Sequence, residues 1–197
     1  MTKAKNSPLV LGLGFSPRKG GNSDQILKWA LEGARKAGAE TKALHVRDYR
    51  VKPCTNCSEC DEDGICVLKD DFSKLSKQID AADLLVIASP IYFLGVPAHA
   101  KAMIDRFQSY WVRKFLLDKP LPRDDRPALL LLVAGSDKKD VFECSKRSIN
   151  AFLRVAGFKL CEHKFFGGMD EKGSAKYMLG VKTQAENAGK ALVCAAS

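Results

Sequence analysis

The chain has 197 residues, of which 46% are hydrophobic and 28% are charged, and this composition excludes a disordered or fibrous protein. The net charge is +9, but the lysines and arginines are scattered along the chain, and no basic run is interleaved with aromatic residues. This pattern argues against a nucleic-acid partner and favours a solvated surface that attracts phosphorylated small molecules.

Three further features of the sequence concern the compartment. No apolar stretch approaches the roughly 20 residues that span a bilayer, so no membrane partner is expected. The N-terminal MTKAKNSPLVLGLGF carries lysines and a short apolar run without a small-residue cleavage site after it, which predicts a first strand and not a leader. Seven cysteines, in a chain large enough to fold without disulfides, favour a reducing compartment. We therefore expect a cytoplasmic protein.

Short apolar segments alternate with segments of helical periodicity along the chain. The predicted strands are Leu9–Gly14, Lys42–Val46, Leu84–Ala88, Ala128–Ala134 and Leu160–Phe166. The predicted helices run from Ser23 to a cap at Gly38, over about 71–82, 97–111 and 141–156, and over most of 174–195. Segments such as LLVIA and ALLLLVA are apolar on both faces, which is typical of parallel strands covered by helices on both sides. Without repeats or linkers, five such units predict an α/β protein with one domain over 1–197, a doubly wound sheet and a cysteine-rich insertion at about 53–70.

The ligand of a doubly wound sheet lies beyond the carboxyl ends of its strands. The loop after the first strand reads GFSPRKGGNSDQIL and matches neither a Walker A loop nor G-x-G-x-x-G, because Pro17 stands where the third glycine belongs. Its hydroxyls, glycines and cations, at the start of a helix, favour a phosphate site. The candidate residues are Ser16, Arg18, Lys19, Asn22 and Ser23. An ordinary turn capped by Asn or Ser is the alternative, but it does not explain the whole combination.

The loop after the third strand reads ASPIYFLGVPAHAKAMIDRF. Pro90 holds its neighbours extended, and Tyr92 and Phe93 follow where the crevice should open. Extended backbone can hydrogen-bond the edge of a flat heterocycle, and aromatic rings can wall it. Packing of both rings against the next helix is the alternative, and this loop alone does not decide between them.

SPRKGGNS and SPIYFLGVPAHAKAMIDRF together resemble the NADPH-dependent FMN reductase group of flavodoxin-like proteins. The resemblance implies a three-layer flavodoxin-like fold with five parallel strands in the order 2-1-3-4-5. It also implies that Ser16, Arg18, Asn22 and Ser23 bind the FMN phosphate, and that the isoalloxazine contacts Pro90, Ile91, Tyr92, Phe93 and Gly95. The loop after strand four usually completes the flavin pocket in this group. AGSDKK departs from the Thr- and Gly-rich loops expected there, with Gly135 and Ser136 as candidates.

Four cysteines, Cys54, Cys57, Cys60 and Cys66, follow one another in the spacing C-x2-C-x2-C-x5-C. The inferred compartment disfavours a disulfide, and zinc usually takes two separated cysteine pairs. The spacing matches the first three positions of the bacterial ferredoxin pattern, while the fourth cysteine is two residues late and has no proline after it. A cluster, zinc and a metal-free loop all stay open on the spacing. The run also resembles the motif of the iron–sulfur flavoproteins, a branch of the same group, which implies a [4Fe–4S] cluster.

The resemblance thus implies an FMN-dependent oxidoreductase in which the flavin carries the chemistry and no catalytic acid–base pair is needed. A [4Fe–4S] cluster would pass electrons through FMN to a small acceptor such as a quinone, dioxygen or peroxide, with NAD(P)H a candidate donor. The expected partners are such small molecules or a ferredoxin-like protein, and a second copy of the chain in a homodimer or homotetramer. The alternatives are an NAD(P)H-dependent FMN or quinone reductase without a cluster, a non-enzymatic electron carrier, and a zinc-stabilised binding module.

Several features receive no functional role. Cys144, Cys161 and Cys194 are isolated and are expected to be buried. The three histidines, at positions 45, 99 and 163, have no ligand spacing. Residues 105–126 fit a lid, a subunit contact or a solvated connection equally well, and residues 167–175 are assigned nothing.

Overall fold

The structure is a computed structural model that describes residues 7–119, 121 and 123–195. The lysines before the first predicted strand, and the prolines at 120 and 122 that end the predicted connection, lie outside the described residues. Within the described residues, no helix is long and apolar enough to cross a membrane.

Five parallel strands form one sheet in the order β2-β1-β3-β4-β5, which confirms the predicted flavodoxin-like topology. The strands are β1 Leu9–Gly14, β2 Glu40–His45, β3 Leu84–Pro90, β4 Arg126–Val133 and β5 Phe158–Phe166. Nearly every residue of β1, β3 and β4 is buried, whereas the edge strands β2 and β5 carry exposed residues. The central strands are apolar throughout because both of their faces are covered.

The helices cover both faces of the sheet. They are α1 Asn22–Lys36, α2 Phe72–Ala81, α3 Ala98–Arg106, α4 Gln108–Phe115, α5 Asp140–Val155 and α6 Val181–Cys194. One core layer lies between the sheet and α1 with α6, and the other lies between the sheet and α2 to α5. This is the predicted three-layer arrangement.

One helix prediction is wrong in its bounds. The helix predicted over 97–111 is two helices, α3 and α4, separated at Phe107. The Phe107 ring is buried against Phe72, Tyr110 and Phe152, so core packing redirects the chain where the apolar pattern continues. The last helix, predicted over most of 174–195, is α6; it begins at Val181, after Gly180 in the left-handed conformation with φ 78°.

The three isolated cysteines are exposed and not buried as expected. Cys161 lies on the edge strand β5, where residues alternate between the core and solvent. Cys144 lies on the outward side of α5, and Cys194 ends α6. Periodicity shows which residues share one face of a helix or strand. A single cysteine, because it is small, does not indicate whether its face is buried.

Helices α1 and α6 approach each other through two glycines. A Cβ on Gly33 would lie 2.0 Å from the Glu186 carbonyl oxygen, and one on Gly189 would lie 1.9 Å from the Ala30 carbonyl oxygen. Both distances are far below contact, so only glycine permits the approach. The contact anchors α1, whose first turn follows the predicted phosphate loop.

We predict that Gly189→Ala lowers the free energy of unfolding by about 1–3 kcal/mol, because the new methyl group overpacks the contact. The sign of the change in stability distinguishes overpacking from helix propensity, since alanine is favoured over glycine by about 1 kcal/mol in a free helix. Urea unfolding measures the change. Lys190→Ala, at an exposed position of the same helix, should change stability by no more than about 0.5 kcal/mol. Unchanged or raised stability of Gly189→Ala would contradict the close approach.

Candidate functional site: a cavity at the strand ends and a cysteine-lined cavity

The loop between β1 and α1 leaves the start of α1 without a side-chain cap. Gly21 occupies the N-cap position, and no described side chain bonds to the first turn from there. Asn22 and Ser23 therefore lie inside the helix, and the alternative of a turn capped by one of them is excluded. The free N–H groups and the positive end of the helix dipole attract an anion. The Ser16 hydroxyl bonds to the backbone of Arg18, 3.1 Å from both N and O, and shapes this loop.

Three loops that are distant in sequence meet around a cavity of about 160 Å³ at the carboxyl ends of β1, β3 and β4. Most of the predicted cofactor residues line it, namely Ser16, Arg18, Asn22, Ser23, Pro90, Ile91, Tyr92 and Gly135. Four predicted residues are not part of the lining: Lys19, Phe93, Gly95 and Ser136. The motifs therefore located the cavity, although their role toward a cofactor stays a prediction.

The segment after β5, to which no role was assigned, also lines this cavity through Met169, Asp170 and Lys172. Asn22 holds the segment in place. Its Nδ2 donates to the carbonyl oxygens of Met169 and Glu171, at 3.2 and 2.8 Å, and to Ser174 Oγ at 3.1 Å. Its Oδ1 accepts from the N–H groups of residues 173 and 175. The Asn22 amide is thus engaged within the protein, and it builds the cavity wall.

Behind the loop, Asp24 and Arg47 fix its conformation. Arg47 donates to the Ser16 carbonyl oxygen at 2.9 Å and to the two carboxylate oxygens of Asp24 at 3.0 and 2.8 Å. The Gly20 N–H donates to Asp24 Oδ2 at 2.8 Å. Burial by itself would raise the pKa of Asp24, but His45 beside the carboxylate and the hydrogen bonds from Arg47 and Gly20 outweigh it and lower the pKa to about 2. Sequence patterns did not reveal this pair, because Arg47 follows another strand.

The loop after β3 is a tight hairpin. Tyr92 and Gly95 exchange two backbone hydrogen bonds of 2.9 Å, and Phe93 and Leu94 between them have φ of 50° and 63°. Such turns usually take Asn and Gly, because side chains are strained at positive φ. The Phe93 side chain is fully exposed, and the Tyr92 ring lines the cavity. The alternative in which both rings pack as core is therefore excluded.

The four cysteines of the insertion line a second cavity, of about 150 Å³, together with Trp111 and Leu116. Asn56 and Ser58 have φ of 53° and 64°, so the backbone curls tightly between successive cysteines. The Asn56 N–H donates to Cys54 Sγ at 3.4 Å. Burial, and after it the negative charges of Asp61, Cys66 and Cys54, raise the pKa of Cys60. Three of the thiols are thus close enough to influence one another.

All seven cysteines are free thiols. Among the described residues, no three His, Cys, Asp or Glu side chains form a group that could hold a single metal ion. The four cysteines of the insertion nevertheless line one cavity together.

This flavodoxin-like fold brings the loops after β1 and β3 to the switch point, where flavodoxin holds FMN. The fold is similar to the solved structure of an NAD(P)H:quinone oxidoreductase from Methanothermobacter marburgensis, with a TM-score of 0.70 and 21% identity over 94% of this chain and 97% of that one. Residues 8–162 match the family model of the NADPH-dependent FMN reductases, and the chain belongs to this family.

Among its relatives are iron–sulfur flavoproteins, which confirms the predicted branch. One from Methanosarcina thermophila is 30% identical over 182 residues, 92% of each chain. One from Archaeoglobus fulgidus is 36% identical over 110 residues, which cover 56% of this chain and 50% of that protein. The chain is therefore a flavin-dependent oxidoreductase of this family.

We predict that Asp24→Asn lowers the free energy of unfolding by about 2 kcal/mol at neutral pH, since each pKa unit corresponds to about 1.4 kcal/mol. The folded pKa of about 2 lies below the ordinary value of 3.8, so this stability is complete above the ordinary value and is lost as the pH falls through about 2. Urea unfolding at several pH values should show wild type and variant converging in acid. Asp48→Asn, which neutralises an exposed carboxylate nearby, controls for charge. A difference that persists in acid would contradict the role of the Asp24 carboxylate.

Proposed function

We propose that the chain binds FMN in the cavity at the strand ends and a [4Fe–4S] cluster in the cysteine-lined cavity. Electrons would pass between the cluster and FMN and from there to a small acceptor. The observation that carries the proposal is the convergence of all four cysteines on one cavity in a member of the FMN reductase family. When bound, FMN can take up two electrons together and release them singly, while a cluster carries one at a time.

The start of α1 would hold the FMN phosphate. The uncapped N–H groups at residues 22 and 23 supply donors, and the Ser16 hydroxyl would turn from the Arg18 carbonyl oxygen to the phosphate; Ser16 and Ser23 are buried. Arg18, in the loop after β1, and Lys172, in the segment after β5, bring positive charge to the same cavity. The Asp24–Arg47 pair keeps the loop in shape without occupying the cavity, because Asp24 does not line it. Fixed donors and cations of this kind favour a phosphate dianion.

The hairpin at 92–95 and the loop after β4 would hold the isoalloxazine. Tyr92 lines the cavity, and the hairpin is held against α5 by the bond from Ser145 Oγ to the Leu94 carbonyl oxygen, 3.0 Å long. On the other wall, a Cβ at Gly135 would lie 1.7 Å from Asp170 Oδ1. Only glycine lets that carboxylate lie beside the loop, and this supports the candidate role of Gly135 despite the unusual sequence around it.

Exposed apolar side chains beside both cavities support a homodimer or homotetramer. Phe93 and Leu94 are exposed at the hairpin, and five apolar residues are exposed near the cysteines: Ile65, Val67, Trp111, Phe115 and Leu116. Patches of this kind mark contact surfaces.

We propose NAD(P)H or a ferredoxin-like protein as donor, and a quinone, dioxygen or peroxide as acceptor. Steady oxidation of NAD(P)H with a quinone would support direct use of the nicotinamide.

A second candidate function is an NAD(P)H-dependent FMN or quinone reductase without a cluster. It is favoured by the exposure of Cys57 and by the lack, among the described residues, of a group that could hold a single metal ion. Metal content distinguishes the two functions.

We predict that Ser16→Ala weakens FMN binding by about 10- to 100-fold, because a hydrogen bond to a charged group contributes about 1.5–3 kcal/mol. Quenching of flavin fluorescence, on titration into flavin-free protein, gives the dissociation constant. Ser73→Ala, at an exposed position of α2, is the matched control and should bind as wild type does. Equal affinity of Ser16→Ala and wild type would contradict this phosphate site.

We predict that anaerobically purified wild type contains iron and sulfide and shows a broad shoulder beside the flavin bands. Cys60→Ser should lose most of the iron and sulfide but keep FMN, because it removes a thiolate ligand. Cys144→Ser, which changes an exposed cysteine outside the insertion, should keep both. Iron and sulfide near zero in wild type would reject the cluster and favour the second candidate function.

A further inference from the structure

The cysteine-lined cavity contains a buried cation that no sequence pattern indicated. Arg106, at the end of α3, is 1% exposed and lines the cavity together with the four cysteines. Its Nη1 donates to Asp70 Oδ2 at 2.6 Å, and the Asp70 side chain is also buried. The guanidinium lies 4.8 Å from the centre of the Phe72 ring. A buried pair of this kind is costly to desolvate and points to a specific task.

Arg106 joins the two ends of the cysteine segment. Its Nη1 donates to the Lys52 carbonyl oxygen at 3.0 Å, before Cys54, and its Nη2 donates to the Leu68 carbonyl oxygen at 3.3 Å, after Cys66. The Asp70 carboxylate holds the first of these ends as well, since it accepts from the Lys52 N–H at 2.9 Å. We call this junction of Lys52, Leu68, Asp70 and Arg106 the neck of the cysteine loop. One side chain from α3 thus closes the loop that carries all four thiols.

One nitrogen atom of Arg106 has no hydrogen-bond partner among the described residues. This atom, Nε, is buried. The other buried arginine, Arg126, differs in this respect, since its Nε and both of its Nη atoms donate to carbonyl oxygens. An unpaired buried donor costs about 1–3 kcal/mol, and more when the group is charged. A sulfur atom held in the shared cavity would satisfy this donor.

We propose that Arg106 is a positioning residue for the iron–sulfur cluster, which closes the neck of the cysteine loop and donates an Nε–H hydrogen bond to a cluster or cysteine sulfur. The proposal rests on the cluster of the proposed function. Hydrogen bonds and positive charge near the sulfurs favour the reduced cluster, which carries one more negative charge, and so raise its reduction potential. Arg106 thereby acts on the cluster from a helix that carries none of the cysteines.

The test compares wild type with Arg106→Lys, which keeps a cation but removes the Nε donor and the planar fork. Cluster content is measured as iron and sulfide per FMN, and the midpoint potential by an anaerobic titration followed by electron paramagnetic resonance. We expect a more negative potential in Arg106→Lys, by about tenfold in the reduction equilibrium, which is about 59 mV for one electron. Arg126→Lys changes a buried arginine away from the cysteines and should retain the wild-type potential. An unchanged midpoint potential in Arg106→Lys would overturn the proposed hydrogen bond from Arg106 Nε to sulfur.

A second variant covers the case in which Arg106→Lys does not fold. Asp70→Asn weakens the neck but leaves the arginine, and we expect it to release iron to a chelator faster than wild type while it retains FMN. Release at the wild-type rate overturns the role in closing the loop. Wild type without iron would instead overturn the cluster itself, and the assignment to Arg106 with it, while FMN binding stays intact.

Discussion

Parallel pairing of β1 with β3 and of β3 with β4 is the constraint on which the candidate flavin site depends. Parallel strands bring all their carboxyl ends to one edge, and the loops that follow them cannot avoid one another there. Residues 16–23, 90–92 and 133–135 meet for this reason, although more than one hundred residues separate the first from the last. Because both faces of these strands are buried, a shift in register would force both core layers to repack, so the loops are positioned as firmly as the strands.

One wall of the candidate flavin site, formed by the segment after β5, depends on the packing of α1 on α6. The glycines at 33 and 189 allow these helices to touch backbone to backbone, and this contact brings the chain before α6 back toward the start of α1. Asn22 then binds the returning segment with its whole amide group. The first turn of one helix thus supports residues about 150 positions later. The glycine-rich segment after β5 is ordered by these bonds, without a motif of its own.

The sequence predicted the parts of the molecule that depend on local pattern. Apolar runs predicted the five strands, and the Ser-Pro-Arg-Lys-Gly-Gly-Asn-Ser loop predicted the cavity at their carboxyl ends. What escaped prediction depends on distant partners: the Asp24–Arg47 pair, the amide of Asn22 and the guanidinium of Arg106 are all ordinary polar residues until the fold brings their partners near. The break at Phe107 was missed for the same reason, since a buried ring turns the chain where the helical periodicity does not change. The exposed cysteines at 144, 161 and 194 show that a small apolar residue is weak evidence of burial.

The neck of the cysteine loop has a consequence for damage and repair. Its bonds run from a guanidinium and a carboxylate to backbone groups at positions 52, 68 and 72, and none of them involves a sulfur atom. If the proposed cluster were oxidised and its iron lost, these bonds would still hold the two ends of the loop in place. Reassembly of the proposed cluster would then require only that a short segment close again around its metal, while the rest of the chain stays folded.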